Sequence, residues 1–359
     1  MSKPLPPFMT LEEHFASTAA LASAPPASPY NQQLKHLPGL LSKLTDLGPT
    51  RLQSMDENNI NLQVISHGPT LPVLNASDCR AANLQLHAAC LAHPTRFAGF
   101  ATLPMADPDA ASKELAYCIE ELGFVGALIE NHLENGTTYE GPQYRGFWYT
   151  VQSLGVPIYI HPTWPTDAMR DALFPSSSND NPSTLTEGAI SSLLSSSWNW
   201  HSSVALHISK LFATGTFDRF PRLKLIIGHF GEMIPFMLDR IVQLSPRWTD
   251  EPPKRNFKAV WDENIWITTS GVWSLDPLRC ILANTKIERI LFSVDYPFAQ
   301  NEWGVKWMEE LRGSGLVSEV ELEGIAYRNA EKLLGLRMVV GGEDEEGEEG
   351  DEGNEGGGS

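Results

Sequence analysis

The chain has 359 residues, of which 42% are hydrophobic and 19% charged, with a formal net charge of -18. That length suits one large α/β unit of about 250 residues with extensions, and the apolar content is enough for a large buried core. No apolar run of about 18 residues is present to cross a bilayer, and an acidic balance points away from nucleic acid as a partner.

The opening, Met-Ser-Lys-Pro-Leu-Pro-Pro-Phe-Met, has no apolar stretch or cleavage site of the secretory kind, so a cytoplasmic location is expected. Short apolar runs then alternate with helical stretches, the rhythm of a parallel α/β architecture. Strands are predicted near 9-14, 61-66, 97-103, 125-129, 156-161, 223-228, 265-269 and 288-294. Eight strands is the number of a (β/α)8 TIM barrel. Between them, Asp78 is predicted to cap a helix running to about His93, and Asp107 or Pro108 opens another to about Leu122. A long helix is expected from about Thr184 to Thr214, and Val320 to Leu336 has the spacing of a last outer helix.

Residues 15-60 and 163-190 are interrupted by prolines and read as insertions at the barrel mouth, with 175-183 equally readable as a lid or an inert excursion. Cys79, Cys90, Cys118 and Cys280 are far apart and read as free thiols. The segment 341-359 holds nine acidic residues among glycines, and removing them leaves a net charge of -9. Such a segment has too little apolar surface to offset its ordering entropy, so the barrel domain is expected over 1-340 and a disordered tail after it.

In a barrel of this kind, reactive groups gather at the C-terminal ends of the strands. Glu12 and His14 end the first predicted strand two residues apart, which alternation puts on one face. His161 ends the fifth, His229 follows the sixth and Asp295 ends the eighth. One strand-end histidine is usually a hydrogen-bonded structural residue. Four donors on one rim, Glu12, His14, His161 and Asp295, point instead to one divalent cation, Zn²⁺ or Mn²⁺, bound by carboxylates and imidazoles.

The segments Leu11-Glu12-Glu13-His14-Phe15, Tyr159-Ile160-His161-Pro162, Leu225 to Glu232 and Arg289 to Phe298 together resemble the signatures of the amidohydrolase-related decarboxylases. That group includes the 2,3-dihydroxybenzoate, γ-resorcylate, salicylate and aminocarboxymuconate-semialdehyde decarboxylases, and the resemblance covers roughly residues 9-336. It implies that Glu12, His14, His161 and Asp295 ligate the metal, with His229 and Glu232 paired beside it. It implies further that Arg240 meets an anionic or phenolic part of the substrate and that Phe298 forms an apolar wall. Two-metal amidohydrolases use a lysine at the end of the fourth strand. Here that strand ends Ala127-Leu128-Ile129-Glu130-Asn131, so one metal is expected, with no organic cofactor.

Three positions depart from the resemblance. Glu130-Asn131 replaces the usual Asn-Asp, Thr163-Trp164 follows His161-Pro162 where Arg or Glu is common, and Ser203 replaces a Glu four residues before His207. His207 is read as a core residue and His67 is given no role. His36, His87, His93, His132 and His201 are read as structural.

The resulting expectation is a carboxy-lyase acting on a small ortho-hydroxylated aromatic acid, with Asp295 as proton donor to the ring carbon and His229 and Glu232 orienting the hydroxyl. A homo-oligomer, dimer or tetramer, is expected. The alternatives are a hydrolase of a lactone, ester or amide using the same metal, and a binding protein on a retained barrel.

Overall fold

Eight parallel strands follow one another in chain order around one sheet: β1 (Phe8–Phe15), β2 (Ile60–His67), β3 (Phe97–Ala101), β4 (Gly126–Glu130), β5 (Pro157–His161), β6 (Lys224–Ile227), β7 (Ile265–Thr268) and β8 (Ile290–Leu291). The arrangement is that of a TIM barrel, in a computed structural model that describes residues 4–339 apart from 26–27, 29–30, 32–33, 35–36, 71–72, 176–183 and 250–251. The strands read as near-continuous apolar runs because parallel strands are covered on both sides, by the barrel interior and by helices. All eight residues of β1 and all five of β5 are buried. The mixed core joins strand residues such as Ile158, Ile160, Ile226 and Ile267 to Trp148, Trp261 and Trp307 from the helices and connections around them.

The predicted strands match in number and order, with ends moved by a few residues. The eighth is the shortest, because Ile287–Arg289 forms a 3₁₀ turn and the chain leaves the ladder after Leu291. Asp107 caps the helix Pro108–Glu120, accepting from the amides of Asp109 and Ala110, and Pro108 occupies the first turn as expected.

Three helix expectations need correction. Asn75, not Asp78, caps the helix Ala76–Ala92, and Asp78 lies inside its first turn. The long helix is two, Glu187–Leu194 and Asn199–Ala213; at the break Ser195 Oγ donates to the Ser191 carbonyl and the Ser192 and Ser197 hydroxyls pair, local bonds that compete with helix. The last stretch is Glu319–Glu323 and Asn329–Leu334 joined by a wide π turn over Gly324–Arg328. Inside the first mouth segment the structure also forms helices Thr18–Ser23, Leu40–Thr45 and Pro49–Glu57. The expected tail and nearly all of the 175-183 segment lie outside the described residues. All four cysteines are free, and no described helix is long and apolar enough to cross a membrane.

The first strand carries a feature that alternation alone does not predict. Its register against β2 shifts between Thr10 and Glu13, where three steps on β1 face two on β2. An extra residue of this kind bends a strand and re-aims its side chains, and such bulges are frequent beside active sites.

Candidate active site

Glu12, His14, His161 and Asp295 bring one ligand atom each into a cluster at the barrel's C-terminal mouth, all within 4.8 Å of one another. His14 Nε2 lies 3.2 Å from Asp295 Oδ1, and His161 Nε2 lies 3.4 Å from Glu12 Oε1. Donors about 2.1 Å from a shared ion sit roughly 3 to 4 Å apart, so these separations suit one divalent cation.

The wiring around the cluster leaves the same atoms free. Glu12 Oε2 accepts from the hydroxyls of Tyr159, Thr268 and Ser270, whereas its Oε1 is buried without a hydrogen-bond partner, as are His14 Nε2 and Asp295 Oδ1. Buried polar atoms are rarely left unsatisfied, and three that converge on one point form a donor set that could hold a cation. His161 Nδ1 donates to the carbonyl of Pro162 at 2.6 Å. Because a carbonyl only accepts, the proton is on Nδ1 and the Nε2 lone pair faces the cluster. The residues therefore fit a hard-to-borderline divalent metal.

His229 stands beside this cluster, its Nε2 3.9 Å from Glu12 Oε1 and its Nδ1 2.8 Å from Glu232 Oε1. An unusual backbone holds the pair together. His229, Phe230, Gly231, Glu232 and Met233 have φ between 48° and 84°, a short left-handed run. Left-handed backbone is costly for residues with a Cβ, and it persists here because Phe230, Glu232 and Ile234 are buried in the core around it. Gly228, just before it, has no room for a side chain: a Cβ would lie 2.9 Å from Tyr159 Oη and 3.0 Å from Glu12 Oε1.

Burial opposes a charge on His229, but the Glu232 and Glu12 carboxylates outweigh it and push the imidazole up to about 10. Burial also works against a charged Glu232, and His229 and His201 reverse that, holding its carboxyl well below the usual range. From the protein's own groups, burial and then the Glu12 carboxylate push Asp295 up to about 8. Burial acts on Glu12 in the same sense, yet His229 and His161 bring it below its ordinary value.

His201 belongs to this site and not to the structural histidines. Its Nδ1 lies 2.6 Å from Glu232 Oε2, so one carboxylate bridges two imidazoles, and its Nε2 meets the Ser196 carbonyl at 2.8 Å. The break at Ser195–Ser197 places His201 in the first turn of its helix, facing Glu232. A continuous helix gave no reason to expect that. His207 is a core residue, bonded to Asn131 Oδ1 and to the amide of Tyr139.

A cavity of about 900 Å³ opens over the cluster. His161, His201, His229 and Asp295 line its polar part, and Trp164, Trp200, Trp273 and Phe298 are among its apolar walls. Phe298 packs edge-on to His14 with ring centroids 5.6 Å apart. Arg240 does not line this cavity. It is exposed on the outer side of helix Ile234–Leu244, whose buried face is Ile234, Pro235 and Leu238, so within one chain it meets no ligand there.

The three departures from the expected pattern bond to one another. Glu130 accepts from the amide and hydroxyl of Thr70 at 2.6 and 2.7 Å and from Thr163 Oγ1 at 2.9 Å, and burial pushes its carboxyl up to about 7. Glu130, at the end of the fourth strand, is thus engaged with two threonines. Asn131 likewise donates to Ser203 Oγ at 2.6 Å, the residue standing where a Glu is common.

Residues 50–336 match the family model described as amidohydrolase. The decarboxylase orsB of Emericella nidulans is 50% identical over 336 residues, covering 93% of this chain and 98% of its own. The gamma-resorcylate decarboxylase of Rhodococcus jostii is 34% identical over 351 residues, covering 91% of this chain and 98% of its own. Among solved structures, a dihydroxybenzoic acid decarboxylase from Polaromonas with bound manganese and the inhibitor 2-nitroresorcinol superposes with a TM-score of 0.78 at 32% identity, covering 92% of this chain and 97% of that one. A family model spanning most of the chain, and a relative half identical over nearly all of both lengths, place the chain in the amidohydrolase family.

Proposed function

We propose that the protein is a metal-dependent, non-oxidative decarboxylase of a hydroxylated aromatic carboxylic acid. The observation that carries this reading is the set of unpartnered ligand atoms on Glu12, His14 and Asp295, joined by His161 Nε2, at the floor of an aromatic-walled cavity beside the His229–Glu232 pair. Relatives matched over most of their length that carry the name decarboxylase support the lyase over the hydrolase. The cation is Mn²⁺ or Zn²⁺, and the manganese in the Polaromonas structure favours the first. Phe236 and Met237, exposed on helix Ile234–Leu244, favour a homo-oligomer.

Loss of CO₂ directly from a benzoate would leave an aryl carbanion, so a proton must first reach the carbon that bears the carboxylate. A divalent cation at the cluster supplies stabilisation of negative charge on an ortho oxygen, which raises electron density in the ring. Asp295 lines the cavity, and in this reading it delivers its carboxyl proton to that carbon. The C–C bond then breaks, its electron pair restores the aromatic ring, and CO₂ leaves. His229, oriented by Glu232, holds the hydroxyl by Nε2, and the tryptophan and phenylalanine walls keep water from the reacting carbon.

A screen of ortho-hydroxybenzoates with the Mn²⁺-loaded protein is expected to release CO₂, and in D₂O to place deuterium on the carbon that lost its carboxylate. A product carrying solvent ¹⁸O, with no CO₂, would replace this reading by the hydrolase. His201 acts through Glu232 as a positioning residue. His201→Phe is expected to lower kcat by about tenfold with KM nearly unchanged, and a variant with wild-type kcat would remove His201 from the site.

A further inference from the structure

The ligand set is divided across the seam where the last strand meets the first. Glu12 and His14 stand on β1, whereas Asp295 follows β8, and the pair His14 Nε2 and Asp295 Oδ1, 3.2 Å apart, spans that seam. Backbone pairing is continuous from β1 through to β8. Between β8 and β1 the described residues form no ladder, and the amide of His14 bonding the Tyr296 carbonyl at 2.7 Å is a single bridge.

Side chains hold the rest of the seam. The bulge in β1 turns the amides of Leu11 and Glu12 to the Ser293 hydroxyl oxygen, at 3.1 and 2.7 Å. Ser293 Oγ donates in turn to Glu13 Oε1 at 2.9 Å. The Glu13 carboxylate, wholly buried, also accepts from the amide of Val294 on Oε1 at 3.1 Å and from the amide of Tyr296 on Oε2 at 2.9 Å. Those two amides flank Asp295, whose φ is +74°. A left-handed aspartate persists when its surroundings over-determine it, and Glu13 grips the backbone on both sides.

We propose that Glu13 is a positioning residue of the metal centre: by clamping the backbone before and after Asp295 to β1, it sets the distance between the donors of the first and last strands. This rests on the reading that Glu12, His14, His161 and Asp295 hold a divalent cation. Glu13→Gln keeps size and one acceptor oxygen but turns an amide N–H toward a backbone N–H, so one side of the clamp is lost. Partners that orient ligands typically cost roughly 10- to 100-fold in metal affinity when removed.

The test is titration of Mn²⁺ into the metal-stripped full chain, with unbound Mn²⁺ counted by its EPR signal and folding followed by circular dichroism. Glu13→Gln is expected to stay folded and to bind Mn²⁺ at least tenfold more weakly than wild type, with occupancy restored at high Mn²⁺. Ser293→Ala, which cuts the same link from the other side, is expected to weaken binding by several-fold. A folded Glu13→Gln with wild-type affinity overturns the proposal. Should Glu13→Gln not fold, wild-type affinity in Ser293→Ala overturns it equally. Wild-type protein that binds no Mn²⁺ sinks the ligand set and this proposal together. Wild type that binds Mn²⁺ yet releases no CO₂ sinks only the decarboxylase, because the affinity comparison stands without turnover.

Discussion

Asp295→Asn is expected to lower turnover by about 10²- to 10⁴-fold, the range over which a positioned general acid contributes, while KM changes by much less. Asparagine has nearly the same shape, and its oxygen can occupy the place of Oδ1, which faces His14 Nε2 at 3.2 Å. What it lacks is a carboxyl proton. The loss therefore falls on the step in which hydrogen is transferred to carbon, and the measurement is kcat and KM with deuterium incorporation followed by NMR. Substantial turnover by the variant, with deuterium on the same carbon as wild type, would exclude Asp295 as the required donor. Attention would then pass to His229, which also lines the cavity next to the cluster.

Removing one imidazole should have the other large effect. His161→Ala and His14→Ala each delete an imidazole nitrogen donor from the cluster, and with three donors left, bound metal and turnover should both fall below detection at micromolar metal. The rest of the barrel should stay folded, since the core around Trp148, Trp261 and Trp307 is a large apolar cluster that both variants leave intact. Thermal shift separates the two effects. At a concentration about 100-fold above Kd, a ligand that binds only the native state adds roughly 2.7 kcal/mol of stability. Wild type should gain melting temperature on adding Mn²⁺, whereas the alanine variants should gain little. A variant with an undiminished metal-dependent shift would remove that histidine from the ligand set.

The barrel was legible because its strands are buried on both faces and so read as apolar runs at regular spacing. The cluster was legible because carboxylates and imidazoles are costly to bury, so several of them at the ends of apolar runs imply a shared partner. Tyr159 was within reach of the same logic, being two residues before His161 on β5. Thr268 and Ser270 were not, because hydroxyls after a strand are common. His201 was hidden by the expectation of one continuous helix, and its role arises from where a serine-rich break turns the chain. Glu13 lies within the Leu11 to Phe15 motif, yet strict alternation points it away from the site; its part depends on a bulge and on a strand that leaves the ladder after two residues. Arg240 lies outside the cavity within one chain, and a position eight residues past Glu232 carries no information about which side of a helix meets it.

The divided seam also bears on how the molecule is made. The Glu12 amide and the Ser293 hydroxyl that join across it are 281 residues apart in the chain. Contacts of such separation are slow to form, because the closure entropy of the intervening chain must be overcome before they return anything. During synthesis the first strand emerges with Glu12 and His14 in place, but no complete ligand set exists until β8 has left the ribosome and docked. A nascent or truncated chain ending before Asp295 therefore has no full site with which to capture a cation. Under the proposed ligand set, metal uptake would be coupled to completion of the barrel, so the stabilisation it provides would reach finished molecules and not partly folded ones.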